Sequence, residues 1–195
     1  MFFRVIENIL PKQVFNRLLA LVEGEDIDWH WARSKHYVNR NKTDSNFMLG
    51  KVLFQPFKNE TLSNGGHYID KQYAELFCII TDYQLTIHPF SSVVRMKLNL
   101  YPNQGKNVKH LKHADITTEK EEIDDKFMTS IFNFHTCNGS TVIELGDKIE
   151  EVKSKANQLI VFDNAWHYGI TQSDTPRRIV LNTNVLKSSF IKPLS

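Results

Sequence analysis

Residues 93–101 have the sequence VVRMKLNLY, in which apolar and polar side chains alternate. One set is wholly apolar: Val94, Met96, Leu98 and Leu100. The other set carries polar groups: Arg95, Lys97, Asn99 and Tyr101. Because successive side chains of a strand point to opposite faces, we predict a strand whose apolar face packs under helices and whose polar face lines a wet or ligand-filled interior. The alternative is a strand with one face in bulk solvent.

The carboxyl-terminal stretch RRIVLNTNV (177–185) divides in the same way. Ile179, Leu181 and Val185 share one face, and the other face carries Arg178, Val180, Asn182 and Asn184. Between the two stretches lie further short apolar runs separated by Gly, Asn and Asp: FMTSIFNFH, STVIEL, IEEVKS, QLIVF and HYGITQS. Many short strands at this spacing predict a β-sandwich or barrel, and two strands with the same polar face favour a polar interior.

Two helices are predicted before these strands. In residues 10–24, Pro11 suits a first helical position and Gly24 a carboxyl-terminal stop. In residues 67–85, apolar side chains recur at helical spacing: Ile69, Tyr73, Leu76, Phe77 and Ile80. We therefore expect one domain over residues 1–195, mainly β with flanking helices, in which a helix-rich region (1–90) supports a strand core (91–186) and covers the outer face of one sheet.

Composition restricts the partners. The 195 residues include 24 Lys and Arg against 22 Asp and Glu, and a net charge of +2 disfavours a nucleic-acid duplex as ligand without excluding nucleic acid. Cys78 and Cys137 are too few for a disulfide framework and suggest reduced thiols. The sequence has no signal peptide or membrane-span pattern, so we expect a soluble cytoplasmic protein.

Three residues could form a metal site. His113 and Asp115 lie two apart in HAD (113–115), so on an extended segment both side chains leave from one face. His167, in VFDNAWHYGI, follows the apolar run QLIVF and a polar turn. Two histidines and one carboxylate can form the facial triad of non-haem Fe(II) oxygenases, although His-x-Asp alone is also a common surface sequence.

The order His-x-Asp, His and then Arg at a strand start resembles the 2-oxoglutarate- and Fe(II)-dependent dioxygenases. The resemblance is to their prolyl 4-hydroxylase-like branch, which includes small proteins of phages and marine bacteria, and it spans roughly residues 95–186. It implies a double-stranded β-helix, or jelly roll, and the cytoplasm of a host cell if the chain is phage-encoded. It also implies oxidative decarboxylation of 2-oxoglutarate by O2, coupled to hydroxylation of a C–H bond.

The same resemblance implies roles for single residues. Iron would be held by His113, Asp115 and His167, which are thus the expected catalytic residues. The distal carboxylate of 2-oxoglutarate would meet an arginine, whose rigid fork suits a carboxylate. Strand alternation favours Arg178 over Arg177, because only Arg178 shares the polar face with Asn182. Tyr101 and Asn99 are further candidates for the co-substrate site.

Two other functions remain open. His110 and His113, three apart, could hold zinc together if they lie on a helix. A non-catalytic, cupin-like jelly-roll binding module is the second alternative, since fold alone does not imply chemistry. If the protein is an oxygenase, a prolyl residue in a peptide or protein is the leading substrate by resemblance, with other protein side chains, a nucleobase or a small molecule as alternatives.

Some residues near these motifs have only general interpretations. His135 is expected to be a hydrogen-bonded residue at a strand end. His30 and His36 belong to DIDWHWARSKHYVNR (26–40), whose aromatic and basic side chains could line a substrate entrance. The acidic loop at residues 119–125 is interpreted as solvated, with a role as a lid over the site as a hypothesis.

Overall fold

The computed structural model describes residues 1–31, 48–56, 67–118, 120 and 122–188. Two helices, α1 (Lys12–Glu23) and α2 (Ala74–Ile87), are present, the second preceded by a short 3-10 turn (Lys71–Tyr73). The strands of the amino-terminal half are β1 (Phe3–Glu7), β2 (His30–Trp31), β3 (Leu49–Pro56) and β4 (His67–Ile69). Those that follow are β5 (Phe90–Pro102), β6 (Phe127–Asn133), β7 (Ser140–Leu145), β8 (Lys148–Lys153), β9 (Gln158–Asp163), β10 (His167–Ile170) and β11 (Arg177–Lys187).

The strands form two antiparallel sheets. The larger has the order β1-β9-β6-β11-β5-β3-β2, with β4 added on β3, and the smaller has the order β10-β7-β8. The chain between β5 and β6 extends the smaller sheet, since Lys109 pairs with Ile170 and His113 pairs with His167. This mainly β architecture with flanking helices is the predicted jelly roll.

The larger sheet is covered by helices on one face. From the helices, the apolar core contains Phe15, Leu18, Val22, Leu76 and Ile80. From the sheet it contains Met96, Leu98, Phe132, Leu159, Val161, Ile179, Leu181 and Val185. Met96, Leu98 and Leu100 of β5 and the predicted apolar face of β11 pack under the helices, where each fully buried aliphatic side chain contributes about 1.5–3 kcal/mol. Val94 was predicted to lie with them, but Val93 packs against this core instead, because the register of β5 with β11 shifts at this point.

The opposite face of the larger sheet looks toward the smaller sheet. A second, smaller apolar cluster lies between them: Met48, Tyr101, Ile131, Ile143, Ile160, Phe162, Ala165 and Val180. Beside this cluster the space between the sheets is polar and forms a cavity. The prediction of a polar interior is therefore confirmed, and the bulk-solvent alternative is wrong for this face.

The structure differs from the predictions mainly in the first 90 residues. Strands β1 and β3 were not predicted, although both join the larger sheet. The second helix was predicted from residue 67, but residues 67–69 form β4, paired with β3, and Ile69 is not helical. All seven strands predicted after residue 91 are present. Within the described residues, neither helix has the length and hydropathy needed to cross a bilayer.

Gly139, directly before β7, allows the end of β10 to approach closely within the smaller sheet. A Cβ atom at Gly139 would lie 2.9 Å from the carbonyl oxygen of Ile170 and 3.2 Å from the amide nitrogen of Gln172. Both neighbours are backbone atoms, so they cannot move aside as a flexible side chain would. We predict that Gly139→Ala lowers the free energy of unfolding by about 1–3 kcal/mol, measured by urea denaturation.

Gly24→Ala is the matched control, since a Cβ atom there would meet no atom closer than 3.5 Å. Its stability should stay close to that of the wild type. Equal stability of Gly139→Ala and Gly24→Ala would show that the chain before β7 and the end of β10 have more freedom to separate than their close contact indicates.

Candidate active site

His113, Asp115 and His167 converge at one end of the cavity. One side-chain donor atom from each residue lies within 4.8 Å of the other two. Nε2 of His113 is 4.0 Å from Oδ1 of Asp115, and Nε2 of His167 is 3.7 Å from Oδ2. The two imidazole rings are tilted by 51° to each other, with centroids 4.5 Å apart. Three potential metal ligands are thus already close to one point.

The backbone sets the spacing of the two histidines. The amide of His113 donates to the carbonyl of His167 at 2.9 Å, and the amide of His167 donates back to the carbonyl of His113 at 2.8 Å. The two residues are therefore direct partners across an antiparallel pair, with both side chains on one face. Asp115, two residues after His113, reaches the same point.

Both rings turn their Nε2 atoms toward the aspartate. Nδ1 of His113 lies 3.1 Å from the carbonyl oxygen of Leu111, and Nδ1 of His167 lies 2.9 Å from that of Ala165. A carbonyl only accepts hydrogen bonds, so Nδ1 carries the proton and the lone pair of Nε2 is left for a metal. Burial, with the neighbouring His167, lowers the pKa of His113 to about 4, which keeps that ring neutral.

Asp115 is anchored by side chains of the larger sheet. Its Oδ1 accepts from Arg95 at 2.7 Å, and its Oδ2 accepts from Asn182 and Asn184 at 3.0 Å each and from Thr129 at 3.2 Å. Burial alone would raise the pKa of this carboxyl, but the positive charge of Arg95 outweighs it and the pKa is well below its usual range. The aspartate is therefore an ionised, fixed carboxylate.

This donor set fits a divalent iron. Two neutral imidazole nitrogens and one carboxylate are the ligands of non-haem Fe(II) oxygenases, and they leave further coordination positions open for other molecules. The Nδ1 bonds of the histidines and the four contacts of Asp115 are of the kind that orient such ligands in metal sites. Among the described residues, this is the cluster of histidine, cysteine and acidic side chains that could hold a metal ion.

The cavity extends from these residues between the two sheets. Its volume is about 130 Å³, whereas one water needs roughly 10–15 Å³ on this measure, so a small molecule of several atoms fits. Its walls include all six site residues predicted from the sequence: Asn99, Tyr101, His113, Asp115, His167 and Arg178. The walls also include Arg95, Lys97, Thr141, Gly169 and Asn182.

Arg178 lies at the far end of the cavity and is 1% exposed. Its Nη1 donates to the carbonyl oxygens of Ser140 and Ile170, and its Nη2 donates to Asn133 and to the hydroxyl of Thr141. Its Nε–H has no partner among the described residues. Burial lowers the pKa of this guanidinium. Arg178 is therefore held rigidly with one donor unused.

Arg177 points the other way. It is exposed, and its guanidinium donates to Glu23 at 3.1 Å on the outside of the molecule. The alternation along β11 thus separates the two arginines as the sequence pattern predicted.

Tyr101 and Gly169 lie next to Arg178. The Arg178 guanidinium carbon is 5.6 Å from the centre of the Tyr101 ring. A Cβ atom at Gly169 would lie 3.7 Å from the Tyr101 hydroxyl and 3.9 Å from Nη1 of Arg178. The missing side chain leaves space between the metal ligands and these two residues. Burial raises the pKa of Tyr101, which is therefore a protonated phenol at neutral pH.

Several functional candidates were not predicted from the sequence. Arg95, Thr129 and Asn184 anchor Asp115, and Thr141 bonds Arg178. Arg95 and Asn184 lie on polar strand faces that were recognised, but their contact with Asp115 depends on strand register. Thr129 and Thr141 had no distinguishing pattern, because a threonine in a strand is common.

The zinc alternative is not supported by the geometry. Residues 109–113 are extended along β10 rather than helical, and the amide of His110 donates to Gly169. His110 packs its ring edge-on against Tyr101, with centroids 5.1 Å apart, and does not belong to the cluster of His113, Asp115 and His167. The two histidines thus do not form the helical pair that this alternative requires.

Of the other histidines considered in the sequence, His30 and His135 do not belong to the cluster of His113, Asp115 and His167, and His36 lies outside the described residues. His135 accepts a hydrogen bond from the amide of Ile179 and contacts Glu23, as expected of a strand-end residue. His30 is exposed beside Asp28, while His36 lies outside the described residues. Next to the acidic loop, the amide of Thr118 donates to the carbonyl of Glu122. Residues 119 and 121 of the loop lie outside the described residues, and its role as a lid stays a hypothesis.

Comparison with solved structures places this fold among known enzymes. An oxidoreductase of the 2OG-Fe(II) oxygenase family from Burkholderia pseudomallei superposes with a TM-score of 0.67 at 9% identity, over 94% of this chain and 85% of that one. A prolyl-4-hydroxylase from Pseudomonas putida superposes with a TM-score of 0.62 at 12% identity, over 96% and 93% of the two chains. The epimerase SnoN, in complex with Fe3+, alpha ketoglutarate and nogalamycin RO, gives 0.58 at 10% identity, over 96% and 79%.

Sequence comparison adds nothing to this result. No protein-family model matches the chain, and no curated protein matches it. The likeness is therefore one of three-dimensional structure, together with a cluster of two histidines and an aspartate that can form a metal site. The chain has the fold of the 2-oxoglutarate- and Fe(II)-dependent oxygenases, prolyl hydroxylases included.

Proposed function

We propose that the protein is a 2-oxoglutarate- and Fe(II)-dependent oxygenase that hydroxylates a C–H bond. One atom of O2 would enter the substrate as a hydroxyl group, and the other would enter succinate as 2-oxoglutarate loses CO2. The observation that carries the proposal is the convergence of His113, Asp115 and His167 at one end of a cavity that has Arg178 at its other end.

In this proposal His113, Asp115 and His167 hold the iron. Bound there, Fe(II) supplies the redox chemistry that activates O2 toward a C–H bond. The protein contributes two imidazoles whose Nε2 atoms are directed to the metal, because the carbonyls of Leu111 and Ala165 accept from Nδ1. It also contributes a carboxylate that stays ionised, because Arg95 compensates its burial.

Arg178 and Tyr101 would orient the co-substrate. The unused Nε–H of Arg178 and the Tyr101 hydroxyl can donate to the distal carboxylate of 2-oxoglutarate, and the space above Gly169 leaves a path from there to the metal ligands. The Thr141 hydroxyl, which accepts from Arg178, has its own proton available for the same carboxylate. Asn99 lines the wall between the two ends.

The prolyl hydroxylase among the structural neighbours supports a prolyl residue of a peptide or protein as the leading substrate. The epimerase SnoN, whose complex contains nogalamycin RO, supports a small-molecule substrate as the second candidate. The cytoplasm remains the proposed compartment, where the free thiols of Cys78 and Cys137 would stay reduced.

The first test separates an oxygenase from a metal-free binding module. Anaerobic titration of the purified protein with Fe(II) and 2-oxoglutarate should produce the weak visible charge-transfer band that arises when a keto acid chelates iron. We expect His167→Ala and Asp115→Ala to abolish the band, because each removes one of three ligands. His30→Ala, which alters an exposed histidine outside the cavity, should leave it unchanged.

A folded wild-type protein without the band would favour the binding module. A band that survives in both His167→Ala and Asp115→Ala would move the iron to other residues. Circular dichroism of each variant checks that the fold is retained.

The second test concerns the two adjacent arginines. We predict that Arg178→Lys and Arg178→Ala raise the 2-oxoglutarate concentration for half-maximal band intensity by roughly 10- to 100-fold, because a hydrogen bond to a charged group contributes about 1.5–3 kcal/mol. Arg177→Ala is the matched control and should change it less than about twofold, since Arg177 bonds Glu23 outside the cavity. The reverse result would assign the co-substrate to Arg177.

The third test concerns the space above Gly169. A methyl group there meets the protein only at ordinary contact distances, so Gly169→Ala should fold with nearly wild-type stability. It would fill the path between the metal ligands and Arg178, and we expect weaker 2-oxoglutarate binding with Fe(II) binding retained. Calorimetric titration measures both ligands, and Gly24→Ala serves as control. Unchanged 2-oxoglutarate affinity would show that the co-substrate takes another path.

A further inference from the structure

Lys97 is a partly buried cation on the cavity wall that forms no ion pair with any described residue. It lies on β5, opposite Asn182 of β11, and its side chain lines the cavity near the metal ligands. Within the described residues its ammonium group makes no hydrogen bond and no ion pair. A charge taken out of water is costly unless it is paired, so an unpaired lysine in this position needs an explanation.

The other charged side chains that line the cavity have hydrogen-bond or ion-pair partners in the protein. Arg95 is paired with Asp115 and also bonds Asn184. Arg178 has four protein acceptors for its terminal N–H groups and one remaining donor, which the proposed function assigns to 2-oxoglutarate. Lys97 is the remaining cation of the cavity wall. With Fe(II) and 2-oxoglutarate bound, the site would therefore carry a surplus of positive charge.

Neutral neighbours do not remove this surplus. Oδ1 of Asn99 and Oδ1 of Asn182 are buried without partners on the same wall. A small movement of the lysine could bring it to either amide oxygen, but an amide carries no net charge. The positive charge of the Lys97 ammonium group would therefore stay uncompensated until an anion binds.

Lys97 does not lie where the co-substrate carboxylate is proposed to bind. Arg178 pairs with Tyr101, which is four residues further along β5 on the same face. At about 3.3 Å per residue, this separation is roughly 13 Å of strand. One carboxylate cannot bind both ends, so Lys97 is available for a second anionic group on the side of the metal ligands.

We propose that the primary substrate carries a carboxylate and that Lys97 binds it through its ammonium group. The inference rests on the proposed function, in which 2-oxoglutarate occupies the Arg178 end. A carboxylate suits the position better than a phosphate does, since a single ammonium matches one negative charge, whereas a phosphate carries nearly two and uses several donors.

This charge requirement narrows the substrate class. A prolyl residue in the interior of a peptide with no acidic neighbour would leave Lys97 unpaired. A free amino acid, a carboxyl-terminal residue or a residue beside an acidic side chain would pair it. The target C–H bond would then lie between the metal ligands and the carboxylate that Lys97 holds.

The test compares propionate with propionamide, which has the same shape without the charge. Both are titrated calorimetrically into the 195-residue protein loaded with Mn(II) and saturated with 2-oxoglutarate under anaerobic conditions. We expect wild-type protein to prefer propionate by at least about tenfold, and Lys97→Met to bind the two compounds equally within about twofold. Lys97→Arg should retain the preference because it keeps a cation.

Lys148→Met is the matched control, because Lys148 is an exposed lysine on β8 outside the cavity. It should keep the wild-type preference for propionate.

A second readout does not depend on the Lys97→Met protein. In wild-type protein with 13C-labelled lysine and saturating 2-oxoglutarate, the side-chain resonance of Lys97, assigned with Lys97→Arg, should shift with propionate and not with propionamide.

Equal binding of the two compounds to the wild type, or no propionate binding, would overturn the inference. A propionate preference that persists in Lys97→Met would also overturn it, since the carboxylate would then be bound by the metal or by Arg95. If Lys97→Met weakens 2-oxoglutarate binding as much as Arg178→Ala does, the lysine serves the co-substrate and the inference is wrong.

Failure of the proposed function gives a different result. In that case the wild type shows no charge-transfer band with Fe(II) and 2-oxoglutarate. The lysine resonance is therefore also measured in metal-free protein, where a response to propionate would identify Lys97 as an anion site independent of oxygenase chemistry. Lys97→Met that retains the band but loses the propionate preference supports both proposals.

Discussion

The antiparallel pairing of β5 with β11 is the constraint on which the site depends. Its register sets Tyr101 opposite Arg178, Lys97 opposite Asn182 and Arg95 opposite Asn184. All of these side chains turn toward the smaller sheet, while the residues between them pack under the helices. A slip of one residue in either strand would exchange the two faces. The apolar core therefore fixes the chemistry of the cavity.

This coupling explains why so much of the fold could be predicted from the sequence. Residues 93–101 alternate between apolar and polar side chains, residues 159–162 are wholly apolar, and turn residues separate the strands after residue 91. The missed strands lack these patterns. Residues 3–7 form a short edge strand beside a predicted helix, and β3 begins with Leu49 and Gly50 and ends with Pro56, residues that do not alternate in the usual way. Ile69 was assigned to a helix because it fits the helical period of the residues that follow it.

The six residues predicted for the site all line one cavity, whereas the contacts among its side chains were not predicted. The choice of Arg178 over Arg177 needed only the period of two. The anchoring of Asp115 could not be predicted in this way, because Thr129, Asn182 and Asn184 come from two strands whose relative register is a property of the whole sheet. Local patterns identify which face a residue lies on, whereas contacts across strands depend on the folded chain.

The mutual backbone hydrogen bonds of His113 and His167 also bear on how the protein would exchange its metal. Because these bonds belong to the sheet, the two imidazoles keep their separation whether or not an ion lies between them. Small zinc domains behave differently, since ion binding and folding are a single event there. Here the ion could leave and return without unfolding of the chain. If the protein is the proposed Fe(II) oxygenase, its active fraction in a cell would then follow the iron supply rather than the rate of refolding.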